Sequence, residues 1–571
     1  MLLNGSPLNS VPLNGATGSG SEPIYIVAGQ AFNWRLRLLV GGDDLTGQLT
    51  GAVDVDREEN AAGVAGFTVC LPPGPVVPTD WLGKAVAIDY ISRDRDGLVT
   101  EARLYTGQLE MPAWNATSRL LGCECSDGVQ QRVEAMPIEA IDAQVGGTWS
   151  PDVFEPVEGR SRWDYAQERL STRPAALDCS PTGEIRVTNW AAQSPHYVFG
   201  PGTTLHESLQ IELQPHGAVI NRVEIEVDYR WSRLYQFNQA FEWAHPNASP
   251  GGFCQWRVWT TDLPTTEMFV EGVESASMKL VGGVTGNRLP LSAADPCLTG
   301  QPWKNTYNNL WLVASVSGAR RWAQTVTEHY TLTLTAPGGE DGSSTQVISR
   351  DSAAFEIESD RVEEWQDADP DGDTRVESLA DEARRTEALT CLLHRGATEL
   401  LDAHRGTTVS WQVPTDLVLG IDLIHTLQLS DFADATGKCR RIQHQLDLGA
   451  GTAITTLSIA VSRGGGENDP LVVPAAPDTD LPPLDDSSET LQTQLGGRLN
   501  NPVTGNPIPP YDEELPGFSG NWDAKDDLTA EEFPRQLRLE SLEIGAEYTD
   551  EATGEVATTY RVGIPNDQLE L

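Results

Sequence analysis

Hydrophobic and polar residues alternate along several stretches of this chain, with the period of two that is typical of β-strands burying one face. In NRVEIEVDYRW, one face carries only apolar or aromatic residues, namely Val223, Ile225, Val227 and Tyr229. NWRLRLLV alternates in the same way, and GAVDVDREENAAGVAGFTVCLPPG reads as two short strands around an acidic turn. These spacings, with glycine- and proline-rich turns between them, predict a mainly β chain that contains barrels or sandwiches.

Two distant stretches resemble two copies of one β-motif. The first begins at Gly83 with GKAVAIDY and continues through ARLYTGQLEMPAW to TSRLLGCECSDG. The second begins at Gly420 with GIDLIHTLQLS and continues through KCRRIQHQLDLGAGTAI to TTLSIAVSRG. Few residues are identical, but the order of elements is the same. A chain with two copies of one module can build a ring with twice its own symmetry.

Helical periodicity is confined to two regions. SRWDYAQERLST predicts one amphipathic helix, capped at or near Ser161, and LDCSPTGEIRVTNW after it predicts a β-hairpin. The second region predicts a helix over 375–404 that breaks or bends at Gly396 and is ended by Gly406. The long tryptophan-rich stretch 235–365 shows little helical signal and is expected to be β.

The charge balance is strongly acidic, with 39 basic against 83 acidic residues among 571, a formal net charge of −44. Such a field repels phosphate, so we expect no specific nucleic-acid binding. It suits a surface past which DNA slides, but high solubility or a salt-adapted source explains it equally well. No apolar run reaches the ~18–20 residues of a membrane helix, so no stable membrane insertion is expected. The N-terminus is not expected to be a signal peptide.

The sequence offers few candidate metal sites. Cys123 and Cys125 lie on one face of a strand, but without two further ligands nearby, buried thiols are the better interpretation. A stretch with acids at alternate positions resembles the first half of a calcium loop, but its twelfth position is Ser378, where a glutamate is wanted; its acids are Asp367, Asp369, Asp371 and Asp373. A solvated acidic hinge is the alternative. No cofactor is predicted.

Sequence signatures of catalysis are missing. The chain contains no GxSxG, HExxH, Walker A or GxGxxG motif, and its histidines are scattered. Carboxylate pairs are too common among 83 acids to single out a glycosidase pair. We therefore expect no catalytic residues and no enzyme activity.

Residues 1 to about 465 resemble the tail-tip (baseplate) hub proteins of long-tailed, siphovirus-type bacteriophages, and are similar to the trimeric two-barrel hub of contractile tails. REENAAGVAGFTVCLPPG, the Gly83 strand and LYTGQLEMPAW followed by CSDG look like the first barrel of that family. SRWDYAQERLSTRPAALDCSPTGEIRVTNW looks like its small α+β domain, and AVINRVEIEVDYRW with GKCRRIQHQLDLGAGTAITTLSIAVS looks like its second barrel and the elements leading into it.

The resemblance implies a multidomain, mainly β protein with a smaller α+β part and two similar β-barrel hub domains. The expected parts are an N-terminal arm (1–24), the first barrel (25–128), the α+β domain (129–200), the second barrel (201–234 and 405–464), a β-rich insertion (235–404), an acidic Pro-rich linker (465–490) and a C-terminal extension (491–571).

The resemblance also implies a function and partners. Three chains present six barrels, which adapt a sixfold tail tube to a threefold fibre or spike and let DNA pass. The implied partners are two further copies of the chain, a distal tail or tail-tube protein above, fibre or central spike proteins below, and the tape-measure protein. The protein is expected in the virion, at the tail tip, after assembly in the host cytoplasm. The alternatives are a receptor-binding tail adhesin and a tail-associated cell-wall hydrolase.

Overall fold

The computed structural model describes residues 23–27, 32–215, 219–244, 263–291, 298, 300, 305, 308–337, 345–348, 353–365, 375–484, 494–495, 517–519, 536–537, 539 and 543–570. Within them the chain is mainly β and forms several sheets, which confirms the predicted fold class. Residues 1–22 of the predicted arm lie outside the described residues.

The elements are as follows. In chain order the strands are β1 (Ile24–Ile26), β2 (Phe32–Val40), β3 (Asp43–Asp44), β4 (Leu49–Glu58), β5 (Val64–Cys70), β6 (Ala85–Asp94), β7 (Val99–Asn115), β8 (Leu120–Ser126), β9 (Ala175–Cys179), β10 (Ile185–Asn189), β11 (Tyr197–Phe199), β12 (Gln210–Glu212), β13 (Arg222–Ala244), β14 (Lys279–Arg288), β15 (Trp311–Thr335), β16 (Thr345–Ile348), β17 (Phe355–Glu358), β18 (Arg375–Ser378), β19 (Thr407–Pro414), β20 (Thr426–Asp431), β21 (Ala433–Asp447), β22 (Thr452–Val461), β23 (Gln494–Leu495), β24 (Gly517–Ser519), β25 (Gln536–Leu537), β26 (Ala552–Arg561) and β27 (Leu569–Glu570). The helices are α1 (Val129–Glu134), α2 (Ile138–Val145), α3 (Arg162–Leu170), α4 (Thr266–Ser275) and α5 (Glu382–Ala403).

Among the described residues the largest sheet has fifteen strands, and one strand order occurs in it twice. The first half runs β4-β5-β8-β7-β6-β2, and the second half runs β12-β19-β22-β21-β20-β11. The first four neighbouring pairs are antiparallel in both halves. The fifth pair is antiparallel in the first half and parallel in the second. Each half surrounds a separate apolar core, built from alternate residues of its strands.

Local details of the two halves also correspond. A 3₁₀ turn precedes Gly83 in one half and Gly420 in the other, and both glycines have positive φ, 71° and 100°. The middle strand of each meander has a bulge, at Glu110 in β7 and at Arg440 in β21. The repeated β-motif is therefore present in three dimensions. In the described residues no ladder joins the end strands of either half, so each half is an open sheet rather than a closed barrel.

The second sheet corrects one predicted boundary. β13 pairs along its whole 23-residue length with β15, and β16, β17, β18, β14 and β26 complete a seven-stranded sheet. Residues 222–234 therefore belong to this sheet and not to the second half, where the sequence placed 201–234. The alternation of β13 correctly predicts a buried face. It does not predict what covers that face, which is helix α5.

Helix α5 differs from its prediction in two ways. Residues 375–378 form strand β18, and the helix begins at Glu382, where the Asp381 side chain accepts a hydrogen bond from the Arg384 amide at 3.0 Å. The helix also runs without a break through Gly396. A Cβ at Gly396 would lie 2.9 Å from Leu334 Cδ1 and 3.1 Å from Ile225 Cδ1. The glycine thus allows the helix to approach the sheet closely.

Gly396→Leu is expected to destabilise the seven-stranded sheet by about 1–3 kcal/mol, because extra methylene groups must enter a packed interface. Glu387→Leu, at an exposed position of the same helix, is the matched control and should change stability by less than about 0.5 kcal/mol. The thermal unfolding midpoint of both variants measures the difference. Equal midpoints would mean that the helix does not need the glycine.

Two further helices and one hairpin can be compared with the expectations. The expected helix at 162–170 is present as α3, and the Ser161 hydroxyl caps it by accepting from the Asp164 amide at 3.2 Å. The hairpin after it is present as β9 and β10. The insertion contains α4, which was not expected. Its start is marked by Thr265, whose hydroxyl accepts from the Met268 amide at 3.3 Å.

The segment expected to be a linker is packed against the seven-stranded sheet. Its described residues, 465–484, contain no long strand or helix, as the proline-rich sequence suggests. However, the Val472 carbonyl accepts from the Tyr560 hydroxyl at 2.6 Å, and Arg233 donates to the Thr479 carbonyl at 2.8 Å. Strand β26, from the C-terminal extension, then pairs in parallel with β15 over ten positions, 326–335 with 552–561. The extension therefore completes the sheet.

Candidate subunit-joining surface

The two halves are joined by a strand pair inside the chain. Residues 441–447 of β21 pair antiparallel with residues 52–58 of β4, so the middle strand of the second half lies against the edge strand of the first. Arg441 Nε donates to Asp56 Oδ1 at 2.9 Å across this junction. We call this strand pair the internal junction.

A buried acid lies at one end of the internal junction. Glu59 follows β4 and contacts the guanidinium of Arg405 at 2.6 Å and the ammonium of Lys438 at 3.5 Å. All three side chains are at most 8% exposed. Lys438 also donates to the Leu423 carbonyl. Burial lowers the pKa of Lys438, although Glu59 opposes this effect. Since removal of one partner would leave a buried charge, this cluster favours one relative placement of the two halves.

Asp422 connects three parts of the molecule. The carboxylate belongs to the second half and accepts from Arg57 of the first half at 2.7 Å. Its other oxygen accepts from Arg186 of the α+β domain at 2.5 Å, and Arg186 also binds Asp178 at 2.7 Å. Burial alone would raise the pKa of Asp422, but the hydrogen bonds and charges of Arg186 and Arg57 lower it to about 2. Asp422 is therefore ionised over the physiological pH range.

A cleft of about 340 Å³ opens beside these clusters. Its walls include Trp190, Asn60, Glu399, Asp402 and Arg405. The walls come from both halves, from the α+β domain and from α5, so the cleft marks the place where these units meet.

One edge of each half remains open in the described part of the chain. In the first half, residues 110–115 of β7 pair with β8 on one side and have no strand on the other. In the second half, β12 pairs only with β19. Both edges carry an exposed apolar side chain, Met111 with 62% and Leu213 with 66% exposed. Large apolar side chains on open strand edges are typical of surfaces that another strand covers.

The two candidate cysteines lie inside the first half. Cys123 and Cys125 are both buried among the apolar core residues of β8 and its neighbours. Burial raises the pKa of the Cys123 thiol to about 12 and raises that of Cys125 further. Within the described residues, no group of three or more His, Cys, Asp or Glu side chains is placed to hold a metal ion.

The acidic stretch with Asp367, Asp369, Asp371 and Asp373 lies outside the described residues. Among the helices that the structure describes, none has the length and apolar character needed to cross a membrane. The junction residues Glu59, Arg57 and Asp422 have no sequence signal beyond being charged residues in or near a strand.

Comparisons with known proteins concern the fold. No family model matches the chain, and no curated protein matches it by sequence. Its structure is similar to a tail protein from Neisseria meningitidis MC58, with a TM-score of 0.35, 10% identity and coverage of 75% of this chain and 96% of that chain. It is also similar to the 43 kDa tail protein of prophage MuSo2 from Shewanella oneidensis, with a TM-score of 0.34, 11% identity and coverage of 75% and 98%. A third similar structure belongs to a Francisella PdpA–VgrG complex, with a TM-score of 0.27, 10% identity and coverage of 76% and 58%.

Proposed function

We propose that this chain is a structural protein of a bacteriophage tail and that three copies form the hub at the tail tip. The observation that carries the proposal is the strand order that occurs twice in one sheet, with an internal junction between unlike edges of the two halves. A junction between unlike edges continues head to tail, and head-to-tail contacts form rings when the rotation closes. Three chains then supply six similar halves.

This arrangement accounts for the sequence resemblance to hub proteins. A ring of six similar halves fits a sixfold tail tube on one side, while its threefold symmetry fits a fibre or spike on the other. The proposed partners are a distal tail or tail-tube protein, the tape-measure protein, and the fibre or spike. The acidic composition keeps DNA from adhering as it passes through the ring.

Buried ion pairs connect the two halves of each chain. The ion pairs of Glu59 and Asp422 are largely removed from water, so salt screens them weakly. A hub must hold its geometry while the tube above and the fibre below transmit load. The proposed role is therefore to connect the tail tube to the fibre or spike and to let DNA pass, with no catalytic activity.

Two measurements test the proposal. Light scattering on the purified full-length chain should give three times the mass of one chain. Antibody labelling of virions should place the chain at the tip of the tail. A stable monomer that is also missing from virions would contradict the proposal, and degradation of peptidoglycan by the purified chain would favour the cell-wall hydrolase instead.

A further inference from the structure

The internal junction predicts how one copy of the chain contacts the next. We propose that residues 110–115 of β7 in one chain pair antiparallel with residues 210–215, which are β12 and the three residues after it, in a second copy. This inference rests on the proposed hub function and specifies its subunit contact. The inference follows from the repeated strand order. Strand β7 of the first half corresponds to β21 of the second half, and β12 of the second half corresponds to β4 of the first half.

The middle strands define the first part of the register. Gln108 of β7 pairs with the first residue of β6 and the last residue of β8. Lys438 of β21 pairs with the first residue of β20 and the penultimate residue of β22. Both are followed, two residues later, by the bulge. Ala113 of β7 therefore corresponds to Gln443 of β21.

The edge strands define the second part. Asp56 of β4 pairs with the β5 residue that pairs in turn with the last residue of β8. Glu212 of β12 pairs with the β19 residue that pairs in turn with the penultimate residue of β22. Because those two residues of β8 and β22 pair with the matched positions of β7 and β21, Asp56 and Glu212 occupy corresponding places. In the internal junction Gln443 lies opposite Asp56. The corresponding contact between chains places Ala113 opposite Glu212, and hence Pro112 opposite Leu213.

Backbone directions agree with this register. The Glu59 amide donates to the Arg440 carbonyl at 3.0 Å, and the Leu448 amide donates to the Gly51 carbonyl at 3.1 Å. Even-numbered positions of β21 thus direct their backbone groups towards β4, because directions alternate along a strand. By correspondence, Pro112 directs its carbonyl outwards and Leu213 directs its amide outwards. Pro112 has no N–H, which suits an edge position.

The side chains make the proposed contact apolar. Pro112 faces Leu213 in this register, and Trp114 faces Ile211. The corresponding positions of the internal junction pair Ile442 with Arg57, and His444 with Val55. Arg57 is buried against Asp422, whereas Leu213, at the matching place, is 66% exposed in the single chain. A second copy would cover Leu213 together with Pro112 and Trp114.

A disulfide tests the register directly. Ala113 and Glu212 are both exposed, and as a non-hydrogen-bonded pair their Cα atoms would lie about 4.5 Å apart, within the range a disulfide spans. The experiment uses full-length A113C/E212C in a Cys70→Ser background, because Cys70 is exposed. Mild oxidation should give covalent dimers and trimers, on the order of tenfold more than the control T100C/E212C, whose first cysteine lies far along β7.

The outcomes separate this inference from the proposed function. The native mass of the uncrosslinked chain reports whether trimers form at all. A trimer in which only the control pair crosslinks, or neither pair does, overturns the register and leaves the hub proposal standing. A chain that stays monomeric and uncrosslinked overturns both.

Leu213→Glu should in addition raise the concentration needed for half-assembly by tenfold or more, whereas Val99→Glu, exposed at the other end of β7, should not.

Discussion

Asp422→Ala is expected to loosen the connection between the two halves by about 3–5 kcal/mol, because it leaves two arginines in a poorly hydrated place without their carboxylate. Arg57 and Arg186 both bind Asp422, and they come from different parts of the molecule. The lost stability should therefore weaken the attachment of the first half, the second half and the α+β domain to one another. Native-state hydrogen exchange of the β4 and β21 amides measures it, since a multidomain chain does not unfold in two states.

The matched control is Asp434→Ala, which removes an exposed carboxylate from β21, one of the two strands whose amide exchange is measured. It should change exchange by less than about 0.5 kcal/mol. If the two variants exchange alike, Asp422 does not hold the units together.

Acid should weaken the same connection. The pKa of Asp422 is about 2 in the folded chain, against an ordinary value of 3.8. Because the folded pKa is the lower one, the contribution of Asp422, about 2 kcal/mol, is complete above pH ~4 and is lost as the pH falls towards ~2. Amide exchange at the internal junction, corrected for intrinsic rates, should accelerate over that interval in the wild type but not in Asp422→Ala.

Deletion of residues 543–571 is expected to cost about 5 kcal/mol or more in the seven-stranded sheet. It removes β26 and with it the buried side chains of Tyr560, Val562 and Ile564, each worth roughly 1.5–3 kcal/mol. It also exposes one edge of the 25-residue strand β15, so the shortened chain should aggregate. The thermal midpoint and the aggregated fraction after centrifugation report both effects.

The control is a shorter deletion, of residues 567–571, which removes the two-residue strand β27 and leaves β26 in place. It should lower the thermal midpoint far less. A synthetic peptide of residues 543–571 should restore solubility to the longer deletion. If the longer deletion is as stable and soluble as the full chain, the extension is not part of the fold.

Sequence patterns predicted individual elements better than their partners. The period of two in β13 correctly predicts its buried face, because alternation reports burial of one face. It carries no information on the neighbouring strand, so the sequence predicts residues 222–234 to lie in the second half, whereas they pair with β15. The repeat starting at Gly83 and Gly420 was recognisable because turns and strands followed in one order. The join between its copies, β21 against β4, was not recognisable.

The residues of the candidate surface illustrate the same limit. Asp422 is one acid among 83, and only the fold brings it to Arg57, 365 positions away along the chain.

Gly396 suggests a helix break, because glycine lowers helix propensity. The packing of the helix against β13 and β15 outweighs that cost. This close packing is possible because Gly396 has no side chain. The unexpected helix α4 had a readable signal in its Thr265 cap, which the tryptophan-rich context obscured.

The central claim is that three chains present six similar halves in one ring. Electron cryo-microscopy of the purified full-length chain, with class averages viewed along the particle axis, tests it most directly. We predict a closed ring with threefold symmetry and six similar lobes around its opening. Single chains, or particles whose lobes do not form a ring, would contradict the claim.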